Sequence, residues 1–221
     1  MAHDWSCLVR KLLGAIRDNS LSTALFALFA ICIVGQSLAG WRVQNESLAL
    51  HRQAAVGYWH YLSSGTFWEG LASNWQAAVL QLGSLIVFSS FLYQRGAPHS
   101  LDPRKPKNEN GRRQEAWHFN WMRRHSLSVT FLVLFLLSFS LHLFSGASAY
   151  NATRVLAGQP PISTMAFLIS ANFWSITLDT WQAEYLVIAL YVVLTIFLRQ
   201  EHSPESKPTE ASNETTGEAN K

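Results

Sequence analysis

Residues 20–45 read SLSTALFALFAICIVGQSLAGWRVQN, and residues 126–151 read SLSVTFLVLFLLSFSLHLFSGASAYN. Both begin on Ser-Leu-Ser, pass through an apolar run, and reach a glycine followed five residues later by an asparagine (Gly40 and Asn45; Gly146 and Asn151). The register continues beyond the quoted stretch. Adding 106 to Gln53, Phe67, Trp68, Trp75, Gln76 and Gln94 gives Gln159, Phe173, Trp174, Trp181, Gln182 and Gln200. Residues 20–94 therefore recur without a gap as residues 126–200, and a repeat of this length decides the architecture before any local detail does.

Each copy opens and closes on an apolar segment. Leu21–Ala39 and Trp75–Tyr93 bound the first, Ser126–Ser145 and Trp181–Leu198 the second, each of about 18–20 residues. About 20 residues at 1.5 Å apiece cross the ~30 Å hydrocarbon layer. The first three contain no Asp, Glu, Lys or Arg, in a chain of 221 residues that is 49% hydrophobic and 14% charged. Only a helix satisfies all backbone groups of one lipid-bound segment from within it. The expected fold class is an all-α membrane protein: four transmembrane helices in two parallel tandem hairpin repeats, with short helical caps in the outer loops.

Arg10, Lys11 and Arg17 precede the first apolar run, which ends in Ser37-Leu38-Ala39 and so has the outline of a signal peptide. The run is longer than a signal core, and its counterpart at 126–145 lies mid-chain, so it is expected to be retained. Orientation follows from Lys and Arg. Residues 1–19 carry three, 95–125 eight and the tail from Arg199 three, whereas the two intervening loops carry two (Arg42, Arg52) and one (Arg154). Positive residues stay inside, which places both termini in the cytoplasm and both aromatic loops outside. Two spans per unit give parallel repeats rather than the inverted ones common in alternating-access transporters.

The cytoplasmic segments read as follows. Within residues 1–19, Trp5, Leu8, Val9, Leu12, Leu13 and Ile16 fall at helical spacing beside basic residues, an amphipathic helix suited to an anionic leaflet. The linker 95–125 is basic, and its Pro98–Gln114 stretch holds too little apolar surface to offset chain entropy. Its Arg104-Lys105-Pro106-Lys107 run suits anionic lipid; no aromatic is interleaved, so nucleic acid is not an expected partner. Residues 201–221 are expected to be disordered for the same reason.

In the second outer loop Ser163 is expected to cap a helix over Met165–Ile169, and Asn172 a further one. Tyr58–Leu62 holds the corresponding place in the first loop, before a Ser64-Gly65 break. Tyr58, Trp59, Tyr61, Phe67, Trp68 and Trp75, with Phe167, Phe173, Trp174 and Trp181, suit the headgroup level.

Two ionisable residues lie inside apolar spans: His142, three residues before the outer end of the third, and Glu184, three after the outer start of the fourth. Both stand roughly 5 Å below the same interface, which predicts a His142–Glu184 contact. Ionisable groups at such depth are candidates for ion or proton handling. Gln36 replaces His142 in the first copy and Ala78 replaces Glu184; Gln36 and Gln81 join the candidate path. The polar and aromatic positions filled alike in both copies (Asn45 and Asn151, Gln53 and Gln159, Trp75 and Trp181, Gln76 and Gln182) suit helix capping and interhelical hydrogen bonds.

No His-Glu-x-x-His, Gly-x-Ser-x-Gly, Gly-x-x-x-x-Gly-Lys or Cys-x-x-Cys is present. His51, His60 and Glu69 have weak metal-site spacing and read as interface polarity. Cys7 and Cys32 cannot form an external disulfide framework. No enzyme activity, cofactor or metal is expected.

Several of these features together carry a resemblance. They are the two Ser-Leu-Ser openings (20–22, 126–128), the two Gly-to-Asn spacings, and Phe-Trp followed by Trp-Gln-Ala (67–68 with 75–77; 173–174 with 181–183). Phe-Leu-x-Gln closes each copy (91–94, 197–200), and Arg199–Pro208 forms the ending. The pattern resembles an uncharacterised family of small bacterial membrane proteins, a domain of unknown function. The resemblance implies four spans in a bacterial inner membrane and no ligand. The leading expectation is a non-enzymatic envelope or scaffold protein, with the lipid bilayer, a second copy or another membrane protein as partners. The alternative is a small channel or transporter for an ion or small solute.

The charge count makes a direct prediction. A C-terminal fluorescent fusion will report a cytoplasmic terminus, and alkaline phosphatase at the same place will be inactive. Active phosphatase would reverse the topology.

Overall fold

The computed structural model describes residue 14, residues 16–100 and residues 117–217. The expected amphipathic helix over residues 5–16 and the 104–107 basic run fall almost wholly outside these, as do Cys7 and residues 218–221. The described residues form, in order, α1 (Ser20–Leu50), α2 (Tyr58–Leu62), α3 (Gly65–Phe88), α4 (Trp117–Leu156), α5 (Thr164–Leu168) and α6 (Ala171–Phe197). No strand occurs among the described residues. Among the described residues, four helices are long and apolar enough to cross a membrane: Ser20–Leu50, Gly65–Phe88, Trp121–Leu156 and Ala171–Phe197. The expected all-α membrane fold is therefore present. The chain divides into two compact units, one ending at Phe67 and the other starting at Trp68.

The helices outrun the apolar segments. α1 has 31 residues, so at 1.5 Å each it is ~46 Å long, and it continues through Gly40 and Asn45 into what the hydropathy marks as loop. Nothing between Trp41 and Leu50 breaks a helix; hydropathy fixes where lipid ends, not where the helix does. α1 stops at Leu50 through a backbone closure in which Arg52 N–H reaches Ala49 O (3.0 Å) and Gln53 N–H reaches Leu48 O (2.9 Å). That pattern needs a left-handed residue, supplied by Arg52 at φ +57°. The closure after α4 is the same: Gly158 N–H to Val155 O (3.0 Å), Gln159 N–H to Arg154 O (2.8 Å), with Gly158 at φ +71°. Glycine takes that conformation at less cost than arginine.

In the first unit the loop then folds back on α1. Asn45 grips Val56 from both sides, its Nδ2 donating to Val56 O (3.1 Å) and its Oδ1 accepting from Val56 N–H (2.8 Å). Trp41 Nε1 donates to the same carbonyl (2.7 Å). α2 next lays Tyr61 against Gly40, where a Cβ would collide with the Tyr61 hydroxyl. Burial, and then the neighbouring Tyr58, raise the Tyr61 hydroxyl pKa above its ordinary value.

The second unit solves the same problem with the same parts. Asn151 grips Ile162 (2.9 and 2.8 Å), and fully buried Phe167 of α5 packs at Gly146, where a Cβ would stand 3.0 Å from the ring. Ala147, Phe167 and Phe173 form the core, flanked by Phe139, Leu143, Tyr150 and Ile162. Ser163 Oγ accepts from Ala166 N–H and caps α5 as expected, one residue earlier than the predicted helix. The cap of α6 is Ser170, which accepts from Phe173 N–H, in place of the expected Asn172.

The tail departs most from expectation. Residues 201–217 form hydrogen-bonded turns instead of a disordered segment. Lys207 is 2% exposed, and its ammonium donates to the carbonyls of Gly96 (2.7 Å), Asn213 (3.2 Å), Ser212 (3.3 Å) and Thr215 (3.3 Å). Gly96 N–H donates to Thr216 Oγ1 (2.8 Å) and Gly217 N–H to Ala97 O (3.1 Å). Arg199 reaches Ala211 O and Asn213 Oδ1, both at 2.9 Å. Burial, and then the nearby Arg199 charge, lower the Lys207 pKa; the carbonyl dipoles offset that cost. Composition suggests disorder because it counts apolar area, whereas this tail is held by charge-assisted hydrogen bonds.

Lys207→Met keeps the stem and removes the ammonium. Hydrogen bonds to a charged group contribute about 1.5–3 kcal/mol, so amide exchange across 207–217 will accelerate about 10- to 150-fold while α3 and α6 stay protected. Unchanged protection in the tail would show that Lys207 does not hold it.

Candidate functional site

Three polar residues share one face of α3: Glu69, Ser73 and Gln76, spaced four and three apart so that each stands about one turn below the last. Ser73 is buried and Glu69 half-buried. Gln76, at the inner end of this column, meets α4. Its Nε2 lies 2.9 Å from Nδ1 of His142. An amide nitrogen only donates, so with the amide assigned in this orientation Nδ1 accepts, and the proton of the neutral ring sits on Nε2.

α6 closes the other side. His142 stacks on Phe173 at 5.0 Å between centroids, and Phe139 meets the same ring edge-on at 5.6 Å. Two turns along α6, Trp181 packs on Phe135 at 6.2 Å. Thr177 lies midway between Phe173 and Trp181 on that face. Gln76, His142 and Thr177 are each 0% exposed.

Their hydrogen bonding is incomplete. Gln76 Oε1, His142 Nε2, Thr177 Oγ1 and Trp181 Nε1 are all buried without a hydrogen-bond partner. Each such group costs about 1–3 kcal/mol, and hydrocarbon offers no compensation. The set comprises two N–H donors, one carbonyl acceptor and one hydroxyl, so it is complementary to a small species that both accepts and donates.

The other sequence candidates take different places. Glu184 is not the partner of His142; what it offers α3 is its backbone carbonyl, which accepts from Gln81 Nε2 at 2.8 Å. The sequence argument matched depth along two helices but not the direction each side chain faces. Gln36 is exposed on α1. Gln53 and Gln159 are exposed and take part in the closures described above through their backbone N–H groups. Gln182, the counterpart of Gln76, is exposed and bonds Asp179 Oδ1 at 3.4 Å. Trp75 is half-buried. Asn45 and Asn151 hold the loops. Among the described residues no three His, Cys, Asp or Glu side chains group as metal ligands.

Sequence reading misses Thr177 at this site and takes Glu69, with His51 and His60, for interface polarity. Thr177 resembles any helix threonine in sequence. Glu69 reads as part of a loop, but it lies in the first turns of α3. A concavity of about 490 Å³ between α3 and α6 is lined by Leu85, Phe88, Ile188 and Val192, with Ser84, Tyr185 and His99 as polar members.

The Gln76–His142 bond predicts a coupling. Gln76→Leu or His142→Phe alone strands the remaining polar group and will cost about 1–3 kcal/mol. The double variant will cost less than the sum of the two. Thermal unfolding in mild detergent measures this, and strictly additive losses would show that the two side chains act independently.

No curated protein matches this chain, and no solved structure does. A family model described as Domain of unknown function (DUF6766) matches residues 13–218, nearly the whole length, and the chain belongs to that family.

Proposed function

We propose that this membrane protein is non-enzymatic and conducts a proton or small polar solute along the buried file of Gln76, His142, Thr177 and Trp181. The observation that carries the reading is the four buried polar atoms without partners, gathered where three apolar helices meet. A bundle optimised only for stability would fill those places with apolar side chains. Polar and ionisable groups kept inside a membrane bundle mark pathways. Lysine and arginine counts support cytoplasmic termini, and the resemblance to a family of small bacterial membrane proteins supports an inner-membrane setting. The bilayer is then the first partner, and a second copy or another membrane protein the next.

A scaffold or partner-subunit role is the competing reading, and one observation favours it. Three polar residues of the repeats are spent on the chain's own backbone: Asn45 on Val56, Asn151 on Ile162 and Gln81 on Glu184. Such bonds stiffen a frame and leave nothing to offer a solute.

Flux separates the two. Purified protein in proteoliposomes with a trapped pH-sensitive dye will dissipate an imposed proton gradient faster than empty vesicles, and His142→Phe will slow it. Flux no greater than that of empty vesicles, for protons and for small neutral solutes alike, would leave the scaffold reading.

A further inference from the structure

We propose that the species moved is the proton and that Glu69 is the group that loads it; this rests on the conduction reading above. Glu69 has its carboxylate on the α4 side: a Cβ added at Gly146 would stand 3.1 Å from Glu69 Oε1. Gly146 is one turn from His142 on the same face of α4. The missing side chain at Gly146 is therefore what lets a carboxylate approach α4 beside the buried imidazole. Between them in register is Ser73, whose hydroxyl also bonds Gly70 O at 3.3 Å.

The surroundings isolate Glu69 from other charge. Among the described residues it forms no ion pair. On α4 the titratable groups of this face are His142 one turn below Gly146 and Tyr150 one turn above. Tyr150 packs on Phe167 at 5.4 Å, and Arg154, a further turn up, lies 5.8 Å over the Tyr150 ring. α5 carries no titratable residue. On α6, Asp179 is exposed and bonded to Gln182. A carboxyl with no cation to pair with can exchange a proton with solution without breaking a structural salt bridge.

The receiving end has a built-in change of state. Glu69 takes a proton from solution as the acid and returns to carboxylate when the proton passes, through the Ser73 hydroxyl or a water, to His142. A proton arriving on Nδ1 turns that nitrogen from acceptor into donor. Gln76 must then rotate its amide and present Oε1, the atom that lacks a partner in the neutral state. The Nε2 proton then passes to a water on the far side, which leaves the neutral ring protonated on Nδ1; a turn of the ring that exchanges its two nitrogens, with Gln76 turning back, restores the present bond. Protons balance at every step, and no oxidant or co-reactant enters. A neutral solute would need none of this arrangement.

The test uses the full chain in proteoliposomes with trapped pH dye and a potassium diffusion potential. Wild type is expected to acidify the lumen; Glu69→Gln is expected to fall to the level of empty vesicles, with its melting profile in detergent kept. Glu69→Asp retains a carboxyl and is expected to keep flux with a shifted pH profile. A Glu69→Gln variant with wild-type flux would overturn the role of Glu69 while leaving conduction standing. Should that variant misfold, a Glu69→Asp pH profile identical to wild type would overturn it equally. Absence of proton flux in wild type would overturn the proposal, and solute flux in the same vesicles would then show whether conduction survives without it.

Discussion

A hydrogen-bonding group inside hydrocarbon has no water to return to, and the rest of this structure follows from that constraint. It requires the apolar segments to be helices. It also requires that any chain leaving a helix near the interface find its bonds at once. Asn45 and Asn151 meet the second demand. Each offers one amide to both backbone groups of a residue 11 positions on, Val56 and Ile162. One side chain thereby replaces two missing ladder bonds and fixes where the loop lies. With the loop pinned, the short cap helix has one place to go, and the ring it carries, Tyr61 or Phe167, packs at the glycine of the preceding helix.

The helical spans were legible because length and hydropathy are summed over about 20 residues, and no local accident overturns such a sum. Helix ends were less legible. Arg42, Gln44, Asn45, Glu46 and Ser47 make Gly40–Leu50 polar enough to look like loop on a hydropathy scale, while nothing in it breaks a helix, so α1 continues. The cap falls on Ser170 and not on Asn172 because the helix starts two residues earlier, with Ser170 Oγ accepting from Phe173 N–H. The tail was misread for a different reason. Its order depends on one ammonium meeting carbonyls from Gly96 and from residues 212–215, and no window of sequence contains both ends of that bond.

The site was half legible. His142 stood out as an ionisable residue within a span. Its partner did not, since depth along a helix is written in the sequence but azimuth depends on packing. Glu184 has the right depth; Gln76, from the first copy, has the right direction. Gln76 and Gln182 occupy the same repeat position, yet the first is buried and the second exposed. Identity between copies therefore marked a shared frame well and a shared site poorly.

That contrast says where chemistry arises in such a chain. Asn45 and Asn151, and Gln53 and Gln159, match at a spacing of 106 and close loops in the same way in each copy. What sets the polar file apart comes from positions where the copies differ: His142 against Gln36 and Thr177 against Leu71, with Glu69 against Ser175 beside them, while Gln76 and Trp181 stand at matched positions. Leu71 is buried and apolar, which is what a position facing the packed interior needs for stability alone. Placing threonine at the corresponding position of α6 costs a buried hydroxyl without a partner. A carboxyl in α3 and an imidazole in α4 are likewise costly to bury. Repeated parts make the frame cheap to specify, and the frame then tolerates several kcal/mol of unsatisfied polarity concentrated where three helices meet, provided the Asn clamps and aromatic caps hold their ends.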